Sequence, residues 1–519
     1  MRPRMPYRGV LLAALAGLLA AWAGSVALPA QPAPVPEVLR RIAGDAPVRS
    51  LPPGDYTVRF FYFGPDRQPM VATVAAAGIF VFDSRVFVAE RNGPRWFVGD
   101  FNASDPRAID CEIIFDSGEL LERGYPYPPL PQPPAGLRVR EVVRMPDFPV
   151  RLASDGRGQT LYVLCVNGDV YHVTIADGRL RKVLDGDDYH TAGALERQAL
   201  GLLLDGEGRL YIASNERLAR VPRRNQVTLF RAQTSPDGSV AKPEVWLREW
   251  YPWGIGAFNH GINHLAIGPD GMLYVSSGSR TNGNEPGEDP LYSPVGEVEL
   301  TACIWRLDPR ATRPQIEIYA RGLRNAFGFC WNDRGEMLAT DNGPDADAPE
   351  ELNLIERGKH YGFPYEFSDW GRSPYPYAGT PPPGLRMEKP IPNFGPAAGG
   401  HDYRPIFTFD PHSSPGGICY LRKDWPPPWR GGYFITRFGN LLTLPRDVGM
   451  DLLHATLRRG ADGRYQARVT TVLAPLGRPV DLHLSGRGRL YVAEYSRQTR
   501  NDGYSAQLPG RIIEVSAAQ

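Results

Sequence analysis

From residue 137 onward the chain keeps returning to one pattern, a Gly/Asp turn followed by a short apolar strand rich in Leu, Tyr and Val. It appears as "GRGQTLYVLCVNG", "GEGRLYIASN", "GPDGMLYVSSG", "DRGEMLATDNG", "WRGGYFITRFG" and "GRGRLYVAEY". Several units run on into a second strand that carries arginine, as in "LARVPR", "CIWRLDP" and "RIIEVS". Turn and strand recurring at irregular intervals of about fifty residues or more predict a β-propeller, each blade burying its faces against its neighbours. Six such units over residues 137–519 predict six blades. An array of β-sandwiches is the competing architecture, but it would need Pro-rich linkers between units, and none is present. In a propeller the loops that enter the blades converge on one end of the central channel, which makes those loops the place to look for chemistry.

A different alternation precedes this region. "YTVRFFYFG", "AAGIFVFD", "RWFVGDF" and "CEIIFDS" alternate apolar and polar positions and predict a small β-rich domain over residues 31–122. "RGYPYPPLPQPPAG", residues 123–136, carries six prolines and cannot continue a sheet ladder, so it reads as a stiff linker at the domain boundary. Residues 1–30 hold three arginines, an apolar run from Gly9 to Gly24 and small residues suited to cleavage near Ala27 or Ala30. That is the layout of a secretory signal peptide. A signal anchor is the alternative, disfavoured because the run falls short of the ~20 residues a spanning helix needs. The expectation is an all-β protein, exported to the periplasm or beyond, with no membrane span after cleavage.

Charge narrows the partners. Lys and Arg number 58 against 57 Asp and Glu, so no global field exists to gather nucleic acid or an anionic membrane. The 56 glycines and 52 prolines favour turns and strands over helices. The five cysteines are odd in number and include no C-x-x-C pair, which leaves room for at most one or two disulfides and no attached c-type haem. Cys165, Cys303 and Cys330 read as small apolar strand residues.

Candidate chemistry gathers in the blade-entry loops. His260 and His264 in "FNHGINHLAIG" have a zinc-like spacing, but no Glu follows His260 and the segment runs from loop into strand. A loop histidine can instead act as a general base, its pKa lying near neutral. It can equally be a hydrogen-bonded loop residue. In "ARGLRNAFGFCWNDRGEMLATDNGP" an Arg324–Asn325 pair precedes one apolar strand and Asp341–Pro344 closes the next. Asp341, Asp345, Asp347, Glu350 and Glu351 crowd this stretch, either as negative potential for a cation or as a solvated loop, without the spacing of an EF-hand.

Five motifs in this order, "NHGINHLAIGPDG", "RGLRNAFGF", "DNGP" with "EELNLIERGKHYGFPY", "PHSSPGGICY" and "GRPVDLHLSGRGRLYVAEY", resemble the soluble quinoprotein glucose/sorbosone dehydrogenase family. The resemblance covers roughly residues 137–515. It implies a six-bladed propeller that holds pyrroloquinoline quinone (PQQ) and Ca2+, a sugar substrate and an external electron acceptor. It further implies His260 as general base, Arg324 and Asn325 against PQQ, and the carbonyls of Gly343 and Pro344 as calcium ligands. Arg478 would bind a PQQ carboxylate, and Arg437 falls near another cofactor-contacting position. Gly343 would be required because a Cβ hinders close approach of the cation, and Pro344 because it brings a carbonyl without a competing donor. Two positions depart from the glucose-oxidising branch, Ser279 in place of an Asp and Glu196 in place of a Gln. A non-catalytic propeller that binds a glycan or protein is the alternative from a different class. A calcium-dependent lactonase is a third reading, and the side-chain carboxylate set it would need is not found.

Overall fold

The computed structural model describes, in its amino-terminal part, residues 34–36, 39–40 and 47–50 and the strands between 56 and 111, and then residues 127–518 apart from several internal loops. Those loops are 156, 193–195 in part, 219–223, 253–259, 286–295, 347, parts of 369–374, 399–406, 441–447 with 486–487, and 500–508. The signal-peptide reading of residues 1–30, and Asp347, therefore lie outside the described residues. Among the described residues no helix is long and apolar enough to cross a membrane.

The chain divides into two compact units. The first is Met1–Tyr127 with Leu442–Arg446 and Asn501–Leu508, and the second takes the remainder from Pro128. In the first unit six strands form one sheet in which Pro69–Phe82 pairs with both Tyr56–Phe63 and Arg85–Glu90. The order then runs Tyr56–Phe63, Ala108–Cys111, Trp96–Phe101 and back to Arg85–Glu90, so the sheet closes on itself and hides its edges. The division falls inside the Pro-rich stretch, and from Pro128 onward that stretch belongs to the second unit, where Leu130 packs on an apolar core.

The second unit is a six-bladed β-propeller. Blade 1 begins with Pro149–Ala153, blade 2 with Glu196–Leu204, blade 3 with Ile262–Ile267, blade 4 with Gly328–Trp331, blade 5 with Pro415–Tyr420 and blade 6 with Pro479–Ser485. These six first strands touch one another in a closed ring around the channel. Neighbours in the ring run side by side in the same sense: a Cβ on Gly416 would meet the carbonyl of Val480, and one on Gly417 the amide of Leu482. Blade 4 has three strands, and blade 5 gains a fifth, Asn393–Pro396, laid parallel to Tyr465–Leu473. Blade 6 is completed by Leu137–Arg144, the first strand of the unit, which pairs with Arg511–Ala517 near the end of the chain.

Every one of the six repeat strands named from sequence is the second strand of a blade: Thr160–Cys165, Arg209–Leu218, Leu273–Ser277, Met337–Asp341, Tyr433–Arg437 and Arg489–Glu494. Their apolar runs are unbroken because both faces are covered. In blade 1, Leu161, Val163 and Cys165 pack toward blade 6 with Tyr491 and Ile512, while Tyr162 and Leu164 pack toward blade 2 with Leu210 and Ile212. The same alternation gives one apolar cluster at each blade interface. Each fully buried Leu or Val contributes roughly 1.5–3 kcal/mol, so the ring is held by its interfaces. Cys165, Cys303, Cys330 and Cys419 are free thiols set among these packed strands, and burial pushes their pKa upward.

The first strands carry polar groups into the channel. Arg151, 1% exposed, donates from Nε to the Leu200 carbonyl of blade 2 at 2.7 Å and from Nη2 to the Phe327 carbonyl before blade 4 at 2.7 Å. Its Nη1 pairs with Asp481 of blade 6 at 3.0 Å, and its guanidinium lies 4.2 Å from the Phe327 ring centre. One side chain thus ties four blades together. The ends of the first strands that precede this level carry the loops with His260, Arg324 and Arg478.

Candidate active site

His260 stands just before the first strand of blade 3. Its Nδ1 lies 3.1 Å from the Ser279 carbonyl and 3.2 Å from Ser279 Oγ. A carbonyl can only accept, so Nδ1 carries the proton and Nε2 holds the lone pair. Burial, and then the charge of Arg324, lower the imidazole pKa from 6.5 to about 3, so the ring is neutral across the physiological range. Ser279 itself is fixed, its Oγ donating to the Thr281 carbonyl at 2.7 Å and its amide to the Arg324 carbonyl at 2.6 Å. The residue that stands in place of an acid therefore orients the base through backbone and hydroxyl oxygens, without adding charge. Gly278 makes this possible: a Cβ there would lie 2.6 Å from His260 Cβ and 3.0 Å from Asn325 Oδ1.

Arg324 and Asn325 sit in the loop that enters blade 4. Asp341, at the end of that blade's second strand, accepts from both amides, Arg324 N at 3.0 Å and Asn325 N at 2.6 Å. Asn263 Nδ2 donates to Asn325 Oδ1 at 2.8 Å, which links this pair to the strand after His260. The Arg324 guanidinium is 4% exposed and held in one plane: Nε donates to the Asn282 carbonyl at 3.1 Å, Nη2 to Asn282 Oδ1 at 3.0 Å and Nη1 to the Asn342 carbonyl at 3.2 Å. Burial works against its charge, and the nearby Glu350 and Asp341 carboxylates support it. Asn342 Oδ1 beside it is buried without a hydrogen-bond partner.

Three residues of the acidic run are withdrawn from solvent. Asp341, Glu350 and Glu351 are buried, and burial raises their pKa, that of Asp341 to about 7. Each is occupied by amides: Asp341 as above, Glu350 by Gly343 N, and Glu351 by Ser368 N at 2.6 Å and Asn353 Nδ2 at 2.9 Å. Among the described residues no group of three or more His, Cys, Asp or Glu is placed to hold a metal. His264 packs edge-on against Phe329, the ring centres 4.6 Å apart. Packing supplies its own reason for glycine at 343. A Cβ there would lie 2.6 Å from the Phe367 ring, so packing alone requires its absence. The Pro344 carbonyl accepts from Ala346 N at 2.6 Å and keeps its second lone pair.

Arg478 enters blade 6 in the left-handed region, φ 47°, as His412 and Ser414 do before blade 5, at φ 60° and 50°. Such backbone is strained for a side chain with a Cβ, and its recurrence at this end of the channel is typical of a functional site. Arg478 is buried, donates to Gln498 Oε1 and the Asn440 carbonyl at 3.1 Å each, and lies 5.1 Å from the Phe438 ring centre. Arg437 is engaged by carboxylates instead, two donors on Asp451 at 2.9 and 2.7 Å and one on Asp410 at 2.7 Å. The hydrogen bonds thus join His260, Ser279, Arg324, Asn325 and the turn from Asp341 into one chain, while Arg478 and Arg437 belong to blades 6 and 5 with partners of their own.

Glu196 begins blade 2 and pairs with Arg217 at 2.6 Å, while Gln198 donates to it at 2.8 Å. Its charge is thereby balanced. Arg217 also lowers the pKa of His260. Arg217→Met should remove that cation and expose the Glu196 charge, so the His260 pKa should rise. Proton titration of the ring by NMR checks the direction, and an unchanged or lower value would contradict it.

With this geometry in place the comparisons can be read. Residues 205–444 match the family described as Glucose / Sorbosone dehydrogenase. Over these residues the chain is similar to the glucose/sorbosone dehydrogenase family. It is 27% identical over 140 residues to quinoprotein glucose dehydrogenase B of Acinetobacter calcoaceticus, spanning 23% of this chain and 29% of that protein. It is 26% identical over 183 residues to the aldose sugar dehydrogenase YliI of Escherichia coli (strain K12), spanning 34% of this chain and 44% of that one. The matched segments thus cover less than half of these relatives. Among solved structures, the PQQ-bound aldose sugar dehydrogenase of Streptomyces coelicolor aligns over 75% of this chain and 100% of its own, with TM-score 0.50 and 20% identity. The apo aldose sugar dehydrogenase of Escherichia coli aligns over 74% and 100%, with TM-score 0.51 and 17% identity. At these identities the structural likeness speaks to the fold. The chain is homologous to PQQ-dependent aldose and glucose dehydrogenases.

Proposed function

We propose that the chain is an exported dehydrogenase that uses PQQ and calcium, oxidises a hydroxyl of an aldose or related sugar, and passes the electrons to an external acceptor. The observation that carries this reading is the state of His260, neutral, with its proton committed to the Ser279 carbonyl and its Nε2 lone pair left to receive another. It stands two hydrogen bonds, through Ser279, from the buried guanidinium-bearing residue Arg324.

The residues present fit the quinone. Arg324 offers a desolvated, planar cation and Asn325 an amide, with an unpartnered buried oxygen, Asn342 Oδ1, beside them. They fit calcium as well, for the turn offers neutral hard oxygens, the carbonyls of Gly343 and Pro344, which suit calcium and not zinc. PQQ, when bound, supplies a carbonyl centre that accepts hydride. In this chain His260 Nε2 would take the sugar hydroxyl proton, and Arg324 would provide positive potential where negative charge develops, fixed in advance by Asn282 and Asn342. Arg478, held against Phe438 and Gln498, would meet an anionic carboxylate.

The test is a titration of the purified full chain with PQQ and calcium, read by visible absorbance, then dye reduction with a panel of sugars. Quinone uptake followed by sugar-dependent reduction is expected. Binding of a glycan with no response to PQQ would replace the dehydrogenase by a binding module. Arg324→Ala should weaken quinone uptake at least tenfold with the propeller still folded, and unchanged uptake would sever Arg324 from the cofactor.

A further inference from the structure

Asn282 stands at a junction that neither the motifs nor the family match assigns. It lies in the loop after the second strand of blade 3, is 2% exposed, and uses every polar group of its side chain. Oδ1 accepts from Arg324 Nη2 at 3.0 Å and from the amide of Asp345 at 2.7 Å. Nδ2 donates to Tyr375 Oη at 2.7 Å, and that hydroxyl donates to the Asp345 carbonyl at 3.0 Å. The Asn282 carbonyl accepts Arg324 Nε as well, while its amide donates to Glu285 at 2.8 Å. One carboxamide oxygen therefore touches both the guanidinium of Arg324 and the backbone directly after Gly343 and Pro344.

From this juxtaposition we infer that Asn282 is a positioning residue that couples the quinone-facing Arg324 to the Gly343–Asp345 turn, so that filling one site prepares the other. The inference rests on the function proposed above. The physical argument is that Arg324 and the turn share an acceptor that cannot move for one without moving for the other. Asn282 Oδ1 is fixed by the Nδ2 bond to Tyr375, whose ring lies against Gly283 so closely that a Cβ there would overlap it at 2.0 Å. A cation bound to the turn carbonyls would order Asp345 N and with it Oδ1, and thereby the plane of the guanidinium. In the reverse direction, a quinone on Arg324 would order the turn. Such coupling between two ligands is reciprocal by linkage.

The measurement is PQQ affinity of the full apo chain by visible absorbance, with and without calcium chloride, together with the melting temperature of each variant before ligand is added. In the wild type, calcium should tighten PQQ binding. Asn282→Ala should weaken PQQ about tenfold and remove most of the calcium-dependent gain. Asn282→Asp keeps an oxygen for Arg324 and for Asp345 N, and should recover affinity to within about threefold of wild type, whereas Asn282→Leu, of similar volume without that oxygen, should not. Tyr375→Phe, which retains the ring and removes only the hydroxyl, should shrink the calcium-dependent gain without lowering the melting temperature, and it decides the matter if Asn282→Ala does not fold. Asn282→Ala or Tyr375→Phe with the wild-type gain would overturn the coupling while leaving the dehydrogenase reading intact. A wild type that takes up no PQQ at any calcium concentration would overturn that reading, and the coupling with it.

Discussion

His260→Ala should leave PQQ uptake unchanged and lower sugar-dependent dye reduction by about 10²- to 10⁴-fold, the range in which a positioned general base contributes. The direction follows from the hydrogen bonds. Nδ1 is committed to Ser279, so only Nε2 can receive a proton, and truncation removes that lone pair without touching Arg324 or the turn. The two readouts separate base chemistry from cofactor binding. The pH dependence carries a second check. A histidine whose pKa is lowered from 6.5 to about 3 by burial and Arg324 stays in its basic form as pH falls through 6, so the acid limb of kcat/KM should lie well below that of free histidine. The same depression makes His260 a source of acid instability. The folded chain resists a proton that the unfolded chain accepts, so stability present above 6.5 declines as pH falls from there toward 3. A rate profile bending near 6.5, or an alanine variant within threefold of wild type, would remove His260 from the role of base.

How much of this could be read in advance differs from residue to residue. The six second strands announced themselves because both of their faces are packed, which writes an unbroken apolar run such as Leu161–Cys165. The channel-lining first strands did not, since they mix apolar positions with Arg151, His264, Asp481 and His483 and lose the pattern. The pairing of Leu137–Arg144 with Arg511–Ala517 joins opposite ends of the propeller region and has no local signal at all. At the site, His260 and the Arg324–Asn325 pair stood in recognisable motifs, but Asn282 and Arg217 did not. Their roles exist only through partners distant in sequence, Arg324 in one case and Glu196 in the other. Arg437 was visible as an arginine near the site, whereas its occupation by Asp410 and Asp451 depends on two residues contributed by separate segments. Glycine at 343 was legible as a requirement, but its packing against Phe367 was not, because Phe367 reaches it from another loop.

The second large effect is expected at the channel centre. Arg151→Ala should destabilise the propeller by about 3–5 kcal/mol, the range for breaking a buried ion pair from one side. Three losses combine there. Asp481 keeps a buried carboxylate whose remaining backbone donors, Leu152 N at 2.9 Å among them, cannot balance its charge. The carbonyls of Leu200 and Phe327 lose their 2.7 Å partners, and the Phe327 ring loses the guanidinium stacked on it. Burial already lowers the pKa of Arg151 and raises that of Asp481, so the pair sits in a medium that penalises either charge alone. That asymmetry yields a sharper test than the single variant. Arg151→Met with Asp481→Leu removes both charges and fills the space, and it should recover most of the lost stability, because a well-packed apolar replacement of a buried pair is often neutral. Urea denaturation followed by the near-ultraviolet signal of the propeller tryptophans gives both values. If the single variant costs less than about 1 kcal/mol, or the double variant is no better than the single, then the contacts of Arg151 across four blades are incidental to closing the ring.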